Sequence, residues 1–301
     1  MSENRRRLRV IRWAGKTCHR PLPEQRMRQR AAAVKQWGMV LAAISLLGAG
    51  AAQAQTVTFD GIELRVNATP GPSGSPTIQG GALIMSNGEY GAARSALSTG
   101  TYNLLNANWF TSFTMFFTCN NVPNAPGENA KICPGDGIAF VVTGGADTQI
   151  GGSGQDMGYA GSFENSLAFA LQTFWRELLL GQNGSLTQVY DKPFGDDNEN
   201  YQRFFDVSLG YDAGSQSLTS HITDGFTSLN QIHSGIALGS WAEDARIGFT
   251  ASSGLASEIS SVSNWKFEYT PATTTVPEPS TVLLVAAGLV GIVVSRRRKT
   301  N

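Results

Sequence analysis

The sequence predicts an all-β domain over residues 55–270, built as a sandwich of two antiparallel sheets. Apolar residues alternate with polar ones in several segments of this region, which is the pattern of strands that are buried on one face. Stretches rich in Gly, Ser, Asn and Thr, residues typical of turns, separate these segments. No segment between Gln55 and Thr270 has a long helical periodicity. Many short strands with turn-rich connections favour two packed sheets or a barrel.

Four segments, taken in chain order, are the basis of this prediction. The odd positions of residues 113–119 are apolar, and the same alternation occurs in residues 205–211 and 265–269. Each of these segments is therefore predicted to be a half-buried strand. Residues 137–142 form a continuous apolar run instead, as expected of a strand that is covered on both faces.

A secretory leader precedes the domain. Residues 38–52 form an apolar stretch that follows a basic segment and leads to small residues. A signal peptidase accepts such residues, so cleavage is predicted between Ala54 and Gln55, with residues 1–54 removed. The basic segment is unusually long, and translation from Met27 would give a leader of ordinary length. The chain is therefore expected to meet the Sec machinery and signal peptidase.

Removal of both ends leaves an acidic domain. The whole chain carries 23 Lys and Arg residues against 23 Asp and Glu residues, but residues 55–274 keep only 8 of the bases and 20 of the acids. The resulting formal charge near −12 argues against nucleic acid and anionic membrane surfaces as partners. Neutral sugars and cations are compatible with this charge.

The cysteines agree with export. Cys18 lies in the leader, and Cys119 and Cys133 are left as a pair that a turn-rich segment separates. In an oxidising compartment such a pair predicts a disulfide that closes the loop, and loop entropy gives this disulfide a contribution of about 3 kcal/mol to stability. A metal-binding pair is the alternative, although no His or third Cys lies nearby in the sequence.

The C-terminal residues 276–301 combine three physically distinct pieces. A Thr- and Pro-rich linker, residues 271–279, ends in a triplet with two prolines, and an uncharged apolar run at 281–294 precedes the basic residues 296–299. The triplet consists of Pro277, Glu278 and Pro279. The apolar run is predicted to enter the membrane while the basic cluster stays on the cytoplasmic side. The run is shorter than the roughly 20 residues that a stable spanning helix needs.

This arrangement resembles the PEP-CTERM sorting signal of Gram-negative bacteria, which a membrane protease-transpeptidase of the exosortase type cuts near the triplet. The resemblance implies export across the inner membrane and transient anchoring by a short transmembrane helix. It also implies a final location at the cell surface or in the extracellular matrix, because such proteins are associated with exopolysaccharide and biofilm. An ordinary C-terminal membrane anchor is the alternative.

Several segments follow one another in a fixed order along the domain. They are residues 136–142, 151–159, 165–174, 207–212, 246–255 and 263–267. The first begins Asp-Gly-Ile-Ala-Phe, the second is a glycine-rich loop, and the third begins Asn-Ser-Leu-Ala. This succession resembles the L-type, or legume-type, lectin family. The resemblance covers residues 57–269 and implies a concanavalin-like jelly-roll sandwich of two antiparallel sheets.

The resemblance also implies a sugar-binding site. Asp136 occupies the position of the family's sugar-binding aspartate, and its peptide bond to Gly135 is expected to be cis. Gly151, Gly152 and Ser153 correspond to the loop that provides backbone donors. A carboxylate that accepts hydroxyl protons and a loop of N–H groups suit a sugar, whose hydroxyls both donate and accept. The alternative is that Asp136 caps a turn before a strand.

The metal positions depart from the family pattern. In metal-dependent members, the strand after Asn-Ser-Leu-Ala carries a Glu-x-Asp pair of metal ligands, and an asparagine four residues beyond that aspartate binds both calcium and sugar. This chain has Ala170, Gln172 and Arg176 at these positions, so no metal cofactor is predicted and the metal site is degenerate. Arg176 is expected to pair with Asp136, to meet an acidic sugar, or to be a solvated loop residue.

Two further features have open interpretations. Asp191 and the acidic residues 196–200 form either a replacement calcium site or a solvated loop. Trp175 and Tyr159 lie close in sequence to the candidate site, where each is either a platform for a sugar ring or part of the core.

Catalysis is not predicted. The paired carboxylates typical of glycosidases on a related sandwich do not occur, and His221 and His233 have no recognisable nucleophile nearby in the sequence. Residues 151–154 lack the Lys and Ser/Thr of a phosphate-binding loop.

Two functions fit these observations. The first is an exported lectin-like protein that holds exopolysaccharide at the cell surface, which Asp136 and the glycine-rich loop favour. The second is a structural or adhesive matrix protein on the same fold that has lost sugar binding, which the residues at the metal positions favour.

Overall fold

Two antiparallel β-sheets contain all the strands in the described part of the chain. In the computed structural model the described residues are 53–69, 76–118, 135–194, 202–254 and 258–271. Three short 3-10 helices within these ranges span Phe59–Gly61, Gly154–Asp156 and Ser240–Asp244. The strands are β1 (Gln55–Thr58), β2 (Leu64–Ala68), β3 (Thr77–Gln79), β4 (Ala82–Asn87), β5 (Ala93–Ser98), β6 (Asn108–Thr118), β7 (Gly137–Thr143), β8 (Ser166–Gln172), β9 (Glu177–Gln182), β10 (Ser185–Asp191), β11 (Gln202–Asp212), β12 (Ser217–Thr223), β13 (Ser228–Ser234), β14 (Arg246–Ser252) and β15 (Ile259–Thr270).

The strand order mixes early and late parts of the chain. The larger sheet has eight strands in the order β13-β12-β11-β6-β15-β4-β3, and β1 pairs with β15 as well. The smaller sheet has seven strands in the order β10-β9-β8-β7-β14-β5-β2. Every pair in both sheets is antiparallel. This architecture confirms the predicted two-sheet antiparallel sandwich.

The main hydrophobic core lies between the two sheets. Phe113 of β6 in the larger sheet packs against two rings of the smaller sheet, with centroid distances of 5.8 Å to Phe140 and 5.2 Å to Phe249. The odd positions of β6 are buried along its whole length and the even positions are not. Because successive side chains of a strand point to opposite faces, this alternation is what the sequence predicted for a half-buried strand.

A second apolar cluster covers the outer face of the smaller sheet. The segment between β7 and β8 lays Met157, Tyr159 and Phe163 over small and branched side chains of the sheet, which include Ala139 and Ala170. As a result, every residue of β7 and of β8 is buried. The continuous apolar run at 137–142 was predicted to be covered on both faces, and this second cluster is the physical reason that it is.

Several sequence predictions lie outside the described residues. They are the leader up to Ala52, the Cys119–Cys133 pair, the acidic residues 196–200 and the sorting signal from 276 onward. The predicted cleavage site, in contrast, lies within the described residues. Ala54 directly precedes β1, and Gln55 is the first residue of that strand. No helix in the described ranges is both long and apolar enough to cross a membrane.

Candidate functional site

Asp136 lies where β7, β8 and β14 meet at one end of the smaller sheet. Its backbone N–H donates to the carbonyl of Ser252 at 3.3 Å, and its carbonyl accepts from the N–H of Thr173 at 3.2 Å. These two bonds fix the backbone of Asp136 between the ends of β8 and β14, the two strands that flank β7. The peptide bond between Gly135 and Asp136 is trans, because the described residues contain no cis peptide. The cis expectation was therefore wrong: a cis bond before a non-proline residue costs about 3–4 kcal/mol, and both backbone bonds form around the trans peptide.

The carboxyl group of Asp136 is largely buried. The residue is 7% exposed, and its Oδ2 atom is covered and has no hydrogen-bond partner in the described structure. Burial raises the pKa of Asp136 to about 6, and a hydrogen bond from the backbone of Gly254 acts in the opposite direction. A guanidinium paired with Asp136 would lower this pKa, so the raised pKa gives no support to the expected pairing with Arg176.

Gly254, to which the sequence analysis assigned no role, lies between Asp136 and the glycine-rich loop. A β-carbon added to Gly254 would lie 3.0 Å from Oδ2 of Asp136 and 3.1 Å from the Cα of Gly154. The hydroxyl of Ser252 donates to the carbonyl of Gly154 at 2.5 Å and ties the loop to β14. Gly254 therefore packs its backbone against the carboxylate and against Gly154, and a side chain at residue 254 would disturb this contact.

The three loop residues predicted to provide donors differ from one another. The N–H of Gly151 donates to the carbonyl of Gly158 at 2.8 Å, and the N–H of Gly152 donates to that of Ala160 at 3.0 Å. Both donors are thus used inside the loop. Ser153 is exposed and precedes the short helix Gly154–Asp156. Of the three, Ser153 is the residue best placed to offer a backbone donor to a ligand.

A second buried carboxyl group, Glu258, lies beside Asp136. Glu258 is 2% exposed, and the hydroxyl of Thr173 lies 3.0 Å from its Oε1 and 3.1 Å from its Oε2. The same hydroxyl lies 2.6 Å from the carbonyl oxygen of Gly135. Burial raises the pKa of Glu258 to about 8, and the charge of Asp136 raises it further, while hydrogen bonds from Thr173 and Gly135 oppose the shift. Glu258 is therefore largely protonated at neutral pH.

Glu258 was missed in the sequence, and no local pattern would have identified it. It is an isolated acid one residue before β15. The sequence feature that relates to Glu258 is Gly135, where a β-carbon would lie 2.4 Å from the Cγ of Glu258. A glycine directly before the candidate aspartate thus marks a close approach of another side chain.

Arg176 and the nearby aromatic residues lie in and around the tight turn between β8 and β9. Arg176 is half-buried, has a φ of 61° and accepts a hydrogen bond from the N–H of Lys192 at its carbonyl. Phe174 and Trp175 are exposed, and their rings pack edge to face with centroids 4.7 Å apart. Tyr159 is fully buried, and its hydroxyl lies 2.7 Å from that of Ser166. Of the two aromatics considered for sugar stacking, Tyr159 belongs to the core and Trp175 faces solvent.

The three residues that the resemblance places at the family's metal positions offer few oxygen ligands. Ala170 is buried in the outer apolar cluster and has no oxygen ligand to offer. Gln172 is 3% exposed and supplies one amide oxygen, and Arg176 is a cation. A hard cation needs six to eight oxygen ligands. In the described ranges no group of three or more His, Cys, Asp and Glu residues is placed to hold a metal ion.

The comparisons with known proteins match two different parts of the chain, the C-terminus and the β-sandwich domain. The PEP-CTERM protein-sorting motif matches residues 275–299. No curated protein sequence matches the chain. The smaller and larger sheets together match solved structures of legume lectins at low sequence identity, which shows the fold.

Three of these structures are representative. Peanut lectin is 19% identical with a TM-score of 0.58, and the match covers 74% of this chain and 100% of that one. Arcelin-5, a lectin-like defence protein from Phaseolus vulgaris, is 15% identical with a TM-score of 0.55, covering 72% and 97%. A lectin from Bauhinia forficata in complex with GalNAc is 18% identical with a TM-score of 0.52, covering 73% and 100%. The domain therefore has the legume-lectin fold, as predicted.

The sorting motif confirms the interpretation of Pro277, Glu278 and Pro279. It indicates export and membrane-anchored processing in Gram-negative bacteria. The chain thus combines an exported domain of legume-lectin fold with a C-terminal sorting signal.

Proposed function

We propose that the mature domain is a non-catalytic carbohydrate-binding module that holds exopolysaccharide at the cell surface or in the extracellular matrix. Signal peptidase releases its N-terminus after Sec-dependent export, and exosortase removes its C-terminal tail. The fold supports this proposal because lectins with the same fold, such as that of Bauhinia forficata, include one in complex with a sugar. The acidic charge of the mature domain supports a neutral polymer rather than nucleic acid.

One observation carries the site assignment: Asp136 has a buried carboxylate oxygen with no partner, next to two backbone segments. An acceptor without a donor costs free energy in a buried place, and a sugar hydroxyl would supply the missing donor after a shift of the Asp136 side chain that uncovers this atom. The backbone of Gly254 packs directly against this carboxylate, because a β-carbon at residue 254 would lie 3.0 Å from Oδ2 of Asp136. Ser153 lies at the exposed end of the same loop and supplies a polar contact to the ligand.

In this proposal the buried Glu258 network, rather than a metal ion, orders the site. Thr173 and Gly135 hold Glu258 by hydrogen bonds, and the backbone of Asp136 is bonded to Thr173 and Ser252. These hydrogen bonds link the segment that presents Asp136 to β14 and to the turn after β8.

A structural matrix protein without sugar binding is the second candidate. The observation that favours it is that the Oδ2 atom of Asp136 is covered, and that the N–H groups of Gly151 and Gly152 are already used within the loop. In that case the lectin fold serves only as a rigid, exported scaffold.

A glycan array probed with the mature, processed protein separates these candidates. We expect binding to a restricted set of glycans, with the same set bound in the presence of EDTA. Asp136→Asn should abolish or strongly weaken the signal, whereas Asp60→Asn, at an exposed position of the first short helix, serves as the matched control. No binding to any glycan would favour the structural candidate.

A further inference from the structure

The sequence contains two Asn-Gly pairs, Asn87-Gly88 and Asn183-Gly184. An asparagine before a glycine can lose ammonia, because the backbone nitrogen of the glycine reaches the side-chain carbonyl carbon and no β-carbon obstructs its approach. The reaction requires that the asparagine side chain turn towards this nitrogen and that the nitrogen leave its hydrogen-bond partner. The two pairs have different surroundings in the structure, so their reactivity should differ.

The asparagine of the second pair is held on both its side chain and its backbone. Asn183 and Gly184 form the two-residue turn between β9 and β10, and their φ angles of 51° and 77° are both positive, as in tight hairpin turns. The Oδ1 atom of Asn183 accepts a hydrogen bond from the N–H of Ser166 at 3.3 Å. The backbone N–H of Asn183 donates to the carbonyl of Ser166 at 3.0 Å. This asparagine is therefore tied to the start of β8.

The nitrogen of the second pair is held as well. The N–H of Gly184 donates to the hydroxyl oxygen of Tyr159 at 3.2 Å. Tyr159 is fully buried, and its hydroxyl lies 2.7 Å from the Oγ atom of Ser166. Attack by the Gly184 nitrogen on Asn183 therefore requires that both groups leave their partners within a tight turn.

The first pair lies where β4 ends and the chain enters a bend. Asn87 is exposed, and its side chain has no hydrogen-bond partner in the described part of the chain. The N–H of Gly88 donates to the Oγ atom of Ser86 at 3.2 Å, and this is the contact that the nitrogen must leave. The side-chain carbonyl of Asn87 is therefore able to turn towards the Gly88 nitrogen without first breaking a bond of its own.

Residue 87 adjoins a charged part of the structure. The backbone N–H of Asn87 donates to Oε2 of Glu89 at 3.2 Å, and the same oxygen accepts from Nη2 of Arg94 at 2.6 Å. Arg94 is fully buried. On the neighbouring strand β15, Asn87 lies opposite Ile259, which directly follows Glu258. An added negative charge or an added backbone atom at residue 87 would therefore act on this ion pair and on the pairing of β4 with β15.

We propose that Asn87 is a site of deamidation in the mature protein and that the fold protects Asn183 from the same reaction. The Gly88 nitrogen attacks Cγ of Asn87, the N–Cγ bond forms, the Cγ–Nδ2 bond breaks, and the proton lost from the Gly88 nitrogen leaves with the amide group as ammonia. Water then opens the cyclic imide. Opening at the Cγ carbonyl gives an aspartate, and opening at the main-chain carbonyl gives an isoaspartyl linkage with one more backbone atom. This site does not depend on glycan binding.

The test is peptide mapping of the mature, processed protein by mass spectrometry, before and after incubation in mildly alkaline buffer. The peptide that contains residue 87 should show replacement of the amide by an acid. The peptide that contains residue 183, measured in the same sample, is the internal control. Because Asn183 must break an additional hydrogen bond within a tight turn, its conversion should be slower by about tenfold or more. The same protein denatured in urea should react at both residues at similar rates.

Two variants examine the hydrogen bonds that set the difference. Ser86→Ala removes the acceptor of the Gly88 N–H and should speed conversion at Asn87 but not at Asn183. Tyr159→Phe removes the acceptor of the Gly184 N–H, keeps the buried ring, and should speed conversion at Asn183 alone.

Three outcomes would overturn the proposal. They are equal conversion at the two residues of the folded protein, faster conversion at Asn183, and an intact amide at Asn87 under conditions that convert both residues of the denatured protein. Rates that respond to neither variant would also overturn it, because the hydrogen bonds would then not determine the reactivity. None of these measurements involves a glycan, so their outcome is separate from that of the proposed function.

Discussion

Glu258 lies so close to Gly135 that a β-carbon at residue 135 would be 2.4 Å from the Cγ atom of Glu258. This contact joins the start of β15 to the residue that precedes Asp136. It places two carboxyl groups, both with raised pKa values, at one end of the smaller sheet. The packing around Glu258 and the position of Asp136 are therefore linked.

Replacement of Gly135 should destabilise the domain through this contact. Gly135→Ala introduces a methyl group where the Glu258 side chain lies, and overpacking of this kind costs about 1–3 kcal/mol. Urea unfolding of the single variant, of Glu258→Ala and of the double variant measures the coupling. We expect the alanine at 135 to cost less when residue 258 is also alanine. Equal costs in both backgrounds would show that the two residues do not compete for the same space.

The protonated state of Glu258 predicts an unusual pH dependence. Its pKa in the folded protein is about 8, above the ordinary value of 4.5, so the folded state holds the proton more tightly than the unfolded state. The contribution of Glu258 to stability is therefore fully present below pH 4.5 and is lost as the pH rises towards 8. Asp136 acts in the same direction between its ordinary value of 3.8 and about 6.

Urea unfolding at several pH values between 5 and 8.5 tests this dependence. The free energy of unfolding of the wild-type protein should fall with rising pH relative to that of Glu258→Gln, which keeps the shape but cannot ionise. Each unit of pKa shift corresponds to about 1.4 kcal/mol. Parallel pH profiles for the two proteins would show that Glu258 is not protonated in the folded state at neutral pH.

The disulfide between Cys119 and Cys133 stays a prediction. Both thiols of the exported protein should resist alkylation until a reductant is added, because the oxidising compartment has no system that keeps such a pair reduced. Mass spectrometry of the alkylated native protein, with and without reductant, gives the count of labelled cysteines. Labelling of both without reductant would rule the bond out.

Processing gives a prediction about both ends of the chain. The mature protein should begin at or near Gln55 and should lack the basic residues 296–299. Intact-mass measurement of surface-extracted protein from exosortase-competent cells, with cells lacking exosortase as the control, determines both ends. A mature species that still ends at Asn301 in competent cells would contradict removal of the tail.

Much of the fold was predictable because its signals are local. The alternation of β6 reports one buried face, and the continuous run of β7 reports two, since the Met157 and Tyr159 segment covers its outer side. The candidate site was less predictable because its contacts join distant parts of the chain. Glu258 and Thr173 are 85 residues apart.

The roles of the residues around Asp136 could not be predicted from the sequence either. Tyr159 and Trp175 carry the same aromatic signal, yet one is fully buried and the other is 55% exposed. That difference depends on which side of the loop packs against the sheet. The N–H groups of Gly151 and Gly152 are used by internal bonds of the loop, which only its three-dimensional course reveals.

The central claim is that the domain binds glycan through Asp136 without a metal. Calorimetric titration of the best array glycan into wild-type protein and Asp136→Asn, each with and without EDTA, tests it most directly. Hydrogen bonds to a charged acceptor contribute roughly 1.5–3 kcal/mol each, so loss of two should weaken binding by about a hundredfold or more. We expect this loss in Asp136→Asn and no effect of EDTA. Binding that survives Asp136→Asn but is abolished by EDTA would contradict the claim and direct attention to the acidic residues 196–200.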